Sequence, residues 1–372
     1  MYTLEWQDIE DLLLGCSVLA TGGGGQLSRG LALARSCYRR YGPVQMVGLE
    51  EVPEEALLVC PYFVGAVTAA EEESASPELD TYEPLVATRA LERFLGREIA
   101  GTVPTELGGG NTAAALAVAW ARGRPVVDAD PAGRAVPELF HSTFYLDGIP
   151  IAPFALASAS GDVAVVEKVA DDFRAEAIAR AFAVASGDHA GVADHPISAR
   201  VARGSLLAGT LSRSRQVGAA VRTARANGED SVSAAARAVG GTVMFRGKVA
   251  ADSTFQVEGG LTDGYVVLAG SGTYQGKSMT VHFRNEHMVA RLDGTVVATI
   301  PDLISLLETG TGMPVLNPAI PAGKEVAVVV FPAPERWRTE AGLRAFGPAY
   351  AGLADPYVPV EELCRLYGLG EP

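Results

Sequence analysis

Glu98-Ile-Ala-Gly-Thr-Val103 runs into Pro104-Thr-Glu106-Leu-Gly108-Gly109-Gly110-Asn111, then into Thr112-Ala-Ala-Ala-Leu-Ala-Val-Ala-Trp-Ala-Arg122, and Pro125-Val-Val-Asp128-Ala-Asp130 follows at once. The reading is strand, glycine turn, Ala-rich helix and a second, buried strand. The same alternation extends upstream. Leu4 to Leu14 and Leu27 to Tyr38 carry apolar residues at helical spacing, Gln45 to Leu49 and Ala56 to Val64 are β-prone, Glu71 to Pro77 is a charged loop, and Leu85 to Leu95 is again helical. Strands alternating with helices predict an α/β domain with a mainly parallel sheet over residues 1–165.

Downstream the pattern changes. Val163 to Val169 reads as a strand and Asp171 to Ala185 as a helix opened by two acids, which suit its positive end. Gly187 to Pro196 reads as a linker, and Val217 to Ala226 and Ser231 to Val239 follow as helical stretches. Between Thr242 and Thr299 short β-prone runs are broken by glycines, among them Gly259-Gly260, Gly264 and Gly276. That spacing predicts a β-rich, sandwich- or barrel-like domain over 166–372, with Asp293-Gly294 as a two-residue hairpin turn. Glu325 to Phe331 is a strand that either domain could take.

Composition narrows the function classes. Of 372 residues 48% are hydrophobic and 20% charged, enough apolar surface to support two cores. The net charge of -14 repels polyanions, so nucleic acid is not an expected partner. No apolar run approaches the roughly 20 residues that span a bilayer, and the acidic amino terminus lacks the features of a signal peptide, so no membrane partner and a cytoplasmic location are expected. Cys16, Cys37, Cys60 and Cys364 are scattered, which predicts reduced thiols. A homo-oligomer is compatible with all of this.

Two glycine runs stand before helices: Gly22-Gly23-Gly24-Gly25 and Gly108-Gly109-Gly110, the second followed by Asn111 and Thr112, either of which could cap the helix. Such turns bring bare backbone to a ligand, and a helix start suits an anion. A tight connection between packed elements is the competing explanation for both. Neither run matches a dinucleotide or P-loop signature, so no nucleotide cofactor is expected. Asp128 and Asp130 leave the end of a buried strand, where open α/β sheets hold ligands, and Glu106 ends the preceding strand. Three neighbouring carboxylates would raise at least one pKa and supply a general base, or bind a divalent metal through oxygen. Arg134 could neutralise one of them or grip a substrate carboxylate. The five histidines form no metal motif. His189 and His195 fall in the linker and are expected in solvent, whereas Arg284-Asn285-Glu286-His287 is a polar cluster that could face a ligand.

Taken in order, the Thr21-Gly25 run, Glu106 to Asn111, Asp128-Ala-Asp130, Gly133-Arg134-Ala, Pro137-Glu138, Asn285-Glu286 and Pro301-Asp302-Leu-Ile304 resemble the S-methyl thiohydantoin desulfurase family, across residues 6 to 362. The resemblance implies an α/β amino-terminal domain, a β-rich carboxyl-terminal domain and a five-membered cyclic ureide or thioureide ligand. The expected activity is hydrolysis: water attacks the ring carbon that bears S-methyl, and methanethiol leaves. Glu106, Asp128 and Asp130 are the expected acid–base groups. The glycine amides, Asn111, Thr112, Arg134, Asn285 and Glu286 would bind the substrate, a divalent metal being left open. The alternative is a non-catalytic ligand-binding or accessory subunit of a hydantoinase- or oxoprolinase-type system, whose acids would be solvated.

Overall fold

The computed structural model describes residues 1–65, 79–258, 261–318 and 320–370. The Glu71 to Pro77 loop and Gly259-Gly260 lie outside the described residues. In chain order the first elements are β1 (Tyr2–Leu4), α1 (Trp6–Leu19), α2 (Leu27–Tyr41), β2 (Val44–Val47), β3 (Leu57–Gly65), α3 (Glu83–Leu95), β4 (Gly101–Thr102), α4 (Gly109–Arg122), β5 (Val126–Val127) and β6 (Ala129–Asp130). Then come α5 (Thr143–Leu146), β7 (Phe154–Ala157), β8 (Val163–Val166), α6 (Asp172–Ala185), β9 (His189–Ser198), α7 (Ala199–Ser205), β10 (Leu207–Ala208), α8 (Thr210–Asn227) and α9 (Ser231–Ala238). The last part holds β11 (Thr242–Val249), β12 (Thr254–Glu258), β13 (Leu261–Gly270), β14 (Ser278–Arg284), β15 (Glu286–Leu292), β16 (Thr295–Thr299), β17 (Leu303–Glu308), β18 (Glu325–Phe331), α10 (Glu335–Arg338), α11 (Glu340–Phe346) and α12 (Val360–Tyr367).

The first eight-stranded sheet runs β1-β2-β5-β4-β3-β9-β7-β8. Its centre, β2-β5-β4-β3, is parallel, as the strand–helix alternation requires, and antiparallel strands extend it at both ends. The second eight-stranded sheet, β16-β15-β14-β13-β11-β18-β17 with β12 on β13, pairs antiparallel throughout. It curls until β15 and β16 lie against β17. Asp293 (φ 48°) and Gly294 (φ 85°) form the expected hairpin turn between β15 and β16, both in the left-handed region such turns require.

Helices α1, α2, α4, α8 and α9 form a layer whose apolar residues join Val44, Met46 and Val126 of the first sheet to Val243, Leu303, Val329 and Phe331 of the second. Burial on both sides explains why α4 is apolar all round rather than amphipathic. On the far side of the first sheet, α5, α6 and α7 cover Leu58, Tyr62 and Val192, and the interior of the curled second sheet is filled by Phe245, Leu268, Val281, Phe283 and Val328.

The Gly187 to Pro196 stretch is not a linker. It forms most of β9, a central strand bonded to β3 on one side and β7 on the other. Small residues were the misleading signal: a side chain on Gly191 would come within 2.3 Å of the Glu83 carbonyl carbon where α3 crosses the strand. The first sheet therefore continues past residue 165, taking in β9. The final segment divides. β18 belongs to the second sheet; Trp337 of α10 and Phe346 of α11 pack with Met288 and Val289 of β15 and with Leu146 of α5, and Trp337 Nε1 donates at 2.8 Å to the Ala132 carbonyl in the loop after β6; α12 lies against the second sheet.

Candidate active site

The two glycine runs fit into each other. Gly24 presents its carbonyl to the amides of Gly110 and Asn111 at 3.0 and 3.2 Å, so the first turn of α4 is capped by backbone from the other loop. A Cβ on Gly24 would stand 2.6 Å from the Gly108 Cα, and one on Gly108 would stand 2.2 Å from the Gly24 oxygen. A Cβ on Gly25 would stand 3.0 Å from the Gly110 Cα, and one on Gly109 would meet Ser17 Oγ at 2.5 Å and Leu27 Cα at 2.7 Å. These glycines permit close approach between segments, and the helix start expected to meet an anion has its Gly110 and Asn111 amides occupied. Neither Asn111 nor Thr112 is the cap residue; the N-cap is Gly108. Thr112 Oγ1 instead accepts the Gly108 amide at 3.1 Å, and Asn111 Nδ2 donates to Glu106 Oε1 at 2.8 Å while its Oδ1 accepts from Phe63 N at 3.2 Å.

The other side of the first glycine run rests on β15. His287 N donates to the Thr21 carbonyl at 2.8 Å, Asn317 N donates to the Gly22 carbonyl at 2.9 Å, and Glu286 Oε1 lies 1.9 Å from where a Cβ on Gly23 would be. Gly22 and Gly23 thus let two buried polar side chains come up against the loop. His287 donates through Nδ1 to the Ile304 carbonyl at 2.9 Å, which leaves Nε2 as a bare acceptor beside Gly22. Burial holds its imidazole neutral, with the pKa pushed down to about 4. Asn285, at φ 57°, closes the β14–β15 turn. Its N and Oδ1 bond both backbone groups of Thr262, and its carbonyl takes the Asn317 amide at 2.7 Å.

Three of the acids converge and one does not. Glu106 is buried in the connection between β4 and α4, accepting from Asn111 through Oε1 and from Val136 N through Oε2 at 2.9 Å. Burial raises its pKa to about 7, opposed by those hydrogen bonds and by Arg134, and Asp130 adds to the rise. Glu286 is 3% exposed and its pKa is raised well above the usual carboxyl range, first by burial and next by Glu106. Its Oε2 has no hydrogen-bond partner. Two such carboxyls in one dry place titrate as a pair, and at neutral pH they retain at least one proton between them. Asp130 is fully buried; its Oδ2 accepts Ala132 N and Gly133 N at 2.9 and 2.7 Å, and burial raises its pKa to about 6. Asp128 points elsewhere. It receives the amide of Ser212 at 2.9 Å and its hydroxyl at 2.6 Å, capping the start of α8.

Arg134 has no N–H to offer a substrate. Nε donates to the Ala135 carbonyl at 3.0 Å, Nη1 to the Pro301 and Asp302 carbonyls at 3.2 and 3.0 Å, and Nη2 to Thr21 Oγ1 at 2.8 Å and the His287 carbonyl at 3.0 Å. All five donors are occupied in a fully buried side chain. It ties the glycine loop to β15 and to the turn before β17, and its charge favours ionised carboxylates at Glu106 and Glu286.

Sequence reasoning missed two buried histidines. His195, expected in solvent, is 4% exposed at φ 43°; its Nδ1 is 2.9 Å from Asp194 Oδ1, Asp194 Oδ2 accepts from Tyr62 OH at 2.7 Å, and the ring stacks on Phe144. His141 is fully buried among Phe140, Phe346 and Tyr350, and neither ring nitrogen has a hydrogen-bond partner. The adjacent Asp194-His195 pair was the available signal for the first; His141 had none, since its neighbours come from α11 and beyond. His189 is exposed, as expected. Cys16, Cys37 and Cys60 are buried and unbridged, and Cys364 is partly buried. Among the described residues no group of three His, Cys, Asp or Glu could hold a metal ion, and no helix is long and apolar enough to cross a membrane.

A family model described as the S-Me-THD-like N-terminal domain matches residues 7–168, and one described as the S-Me-THD-like C-terminal domain matches residues 170–360. A crystal structure of a protein from Chromobacterium violaceum is similar at a TM-score of 0.77 and 26% identity, covering 97% of this chain and 100% of that one. Among curated proteins none matches.

Proposed function

Because this chain belongs to the S-Me-THD-like family, we propose that it hydrolyses a hydantoin-like cyclic ureide or thioureide, with Glu106 and Glu286 as the acid–base pair. The observation that carries this reading is the pair itself: two carboxyls whose burial raises both pKa values, with Glu106 adding to the rise at Glu286, and one of them with an oxygen unpartnered. A pKa of about 7 makes Glu106 a base of useful strength near neutral pH. Its carboxylate takes a proton from water as the water oxygen bonds to the ring carbon bearing S-methyl. Glu286, held protonated, donates its proton to the ring nitrogen; as the carbon–sulfur bond breaks, Glu106 passes the proton it took from water to the sulfur, and the intermediate's hydroxyl returns its proton to Glu286 as it becomes a carbonyl. Methanethiol leaves, and the ring carbon becomes the carbonyl of a hydantoin. Asp130 supports the arrangement by adding negative charge near Glu106, while Arg134 holds the loop and strand in register.

A ligand-holding accessory subunit would be expected to have solvated, unperturbed acids, so the burial of Glu106, Asp130 and Glu286 favours catalysis. The test is incubation with S-methyl thiohydantoin propionate while free thiol is followed. Thiol release by the wild-type protein, lost in Glu106→Gln and Glu286→Gln variants that still fold, is the expected result. Unchanged release in both variants would remove the pair from the mechanism.

A further inference from the structure

Arg284 and Glu286 are register partners on β14 and β15 with only Asn285 between them, so both side chains stand on the same face of the hairpin with Cβ atoms about 5 Å apart. Arg284 is half-buried, and its guanidinium stands 5.3 Å from the centre of the Tyr350 ring. It makes no hydrogen bond or ion pair with the described residues. Its guanidinium is thus partly desolvated and held over the Tyr350 ring, whereas Arg222 and Arg338 are paired with acids in this protein of net charge -14.

The surroundings are orphaned in the same way. Tyr350 packs edge-on against His141, with centroids 4.6 Å apart, and donates its hydroxyl to Glu138 Oε2 at 2.5 Å. Glu286 Oε2 and both His141 nitrogens are buried without a hydrogen bond, His141 Nε2 standing 4.0 Å from Glu138 Oε2, and Arg284 is close enough to His141 and Tyr350 to act on their titration. Native interiors rarely leave several such groups unmet in one place unless a further polar molecule meets them. The other nearby cations are occupied: Arg134 spends all five donors on the protein, and Arg180 is bound to Glu176 and the Pro137 carbonyl.

We propose that Arg284, stacked over Tyr350, is a specificity-determining residue that binds a carboxylate carried by the substrate beside its ring; this rests on Glu106 and Glu286 being the reacting centre. A planar guanidinium matches a carboxylate in a two-point fork. One free guanidinium bordered by Glu138 and Glu286 suits a single negative charge better than a phosphate dianion. The chain's overall negative charge makes a local cation necessary for any anionic substrate to settle here.

The test is titration calorimetry with two product-like rings, a hydantoin carrying a carboxyethyl arm and the same ring carrying an uncharged carbamoylethyl arm, on the wild-type protein and on Arg284→Gln and Arg284→Lys. In the wild type the acid binds about ten- to a hundredfold tighter than the amide. In Arg284→Gln that preference disappears through loss of acid affinity, and Arg284→Lys restores part of it, with thermal melts showing all three folded. Equal binding of the two arms by the wild type, or a preference that survives in Arg284→Gln, overturns the assignment while leaving the ring reading intact. If the wild-type protein binds neither ring, the ring reading fails and this assignment falls with it.

Discussion

Replacing Glu106 with Gln should flatten the pH dependence of folding stability. The carboxyl has an ordinary pKa of 4.5 in the unfolded chain and about 7 in the folded protein, because the folded site withholds water from the charged form. Between those values the folded state holds more protons than the unfolded state, so stability falls as pH rises, and the loss is complete above about pH 7. A shift of that size corresponds to about 3 kcal/mol. Gln cannot titrate, so this part of the decline vanishes; Glu286, freed from a charged neighbour, still contributes some through its own burial. The variant starts lower at pH 5 by about 1–3 kcal/mol, because an amide NH2 must now face either the Val136 N–H or the Asn111 amide, which are both donors. The two curves should therefore converge toward pH 8. Urea unfolding of both proteins at pH 5, 6, 7 and 8 measures this directly. A constant gap across that range would show that Glu106 keeps an ordinary pKa in the folded protein and would refute the coupled pair.

Arg134→Lys should cost about 3 kcal/mol or more, since three donors cannot meet five buried acceptors, and urea unfolding showing a loss below 1 kcal/mol would mean that water replaces them. Gly108→Ala should destabilise more than Gly123→Ala, whose Cβ meets open space at φ 59° and costs only about 1 kcal/mol; equal thermal shifts would argue against interlocked glycine loops. Asp128→Asn should cost about 1 kcal/mol by weakening the cap on α8 while thiol release stays near the wild-type rate, and abolished release in a folded variant would return Asp128 to the reacting centre.

The alternation of β-prone and helical stretches from Gln45 to Val127 contains the parallel centre of the first sheet, because each segment's pattern reports the face it buries locally. The Asp293-Gly294 turn is legible for a similar reason: the two residues that tolerate positive φ are adjacent in the chain. Glu106, Asp130 and Glu286 could be named as polar residues at element ends. Which of them face one another could not, since Glu286 lies 180 residues from Glu106 and reaches it only when β15 is laid against the first glycine loop.

Tertiary structure decided what the glycines and Arg134 do. A run such as Gly22 to Gly25 permits ligand binding and close packing equally well in sequence, and only the tertiary structure shows its Gly24 carbonyl on the α4 amides. Arg134 reads as a free cation until the Pro301, Asp302 and His287 carbonyls arrive from the second sheet. Local sequence determines which segments are strands, helices and turns, because their backbone bonds and apolar spacing are short-range. Whether a charged group is buried, paired or left to meet a ligand depends on distant segments that remove its water, and that is set only when the two sheets close over the helices between them.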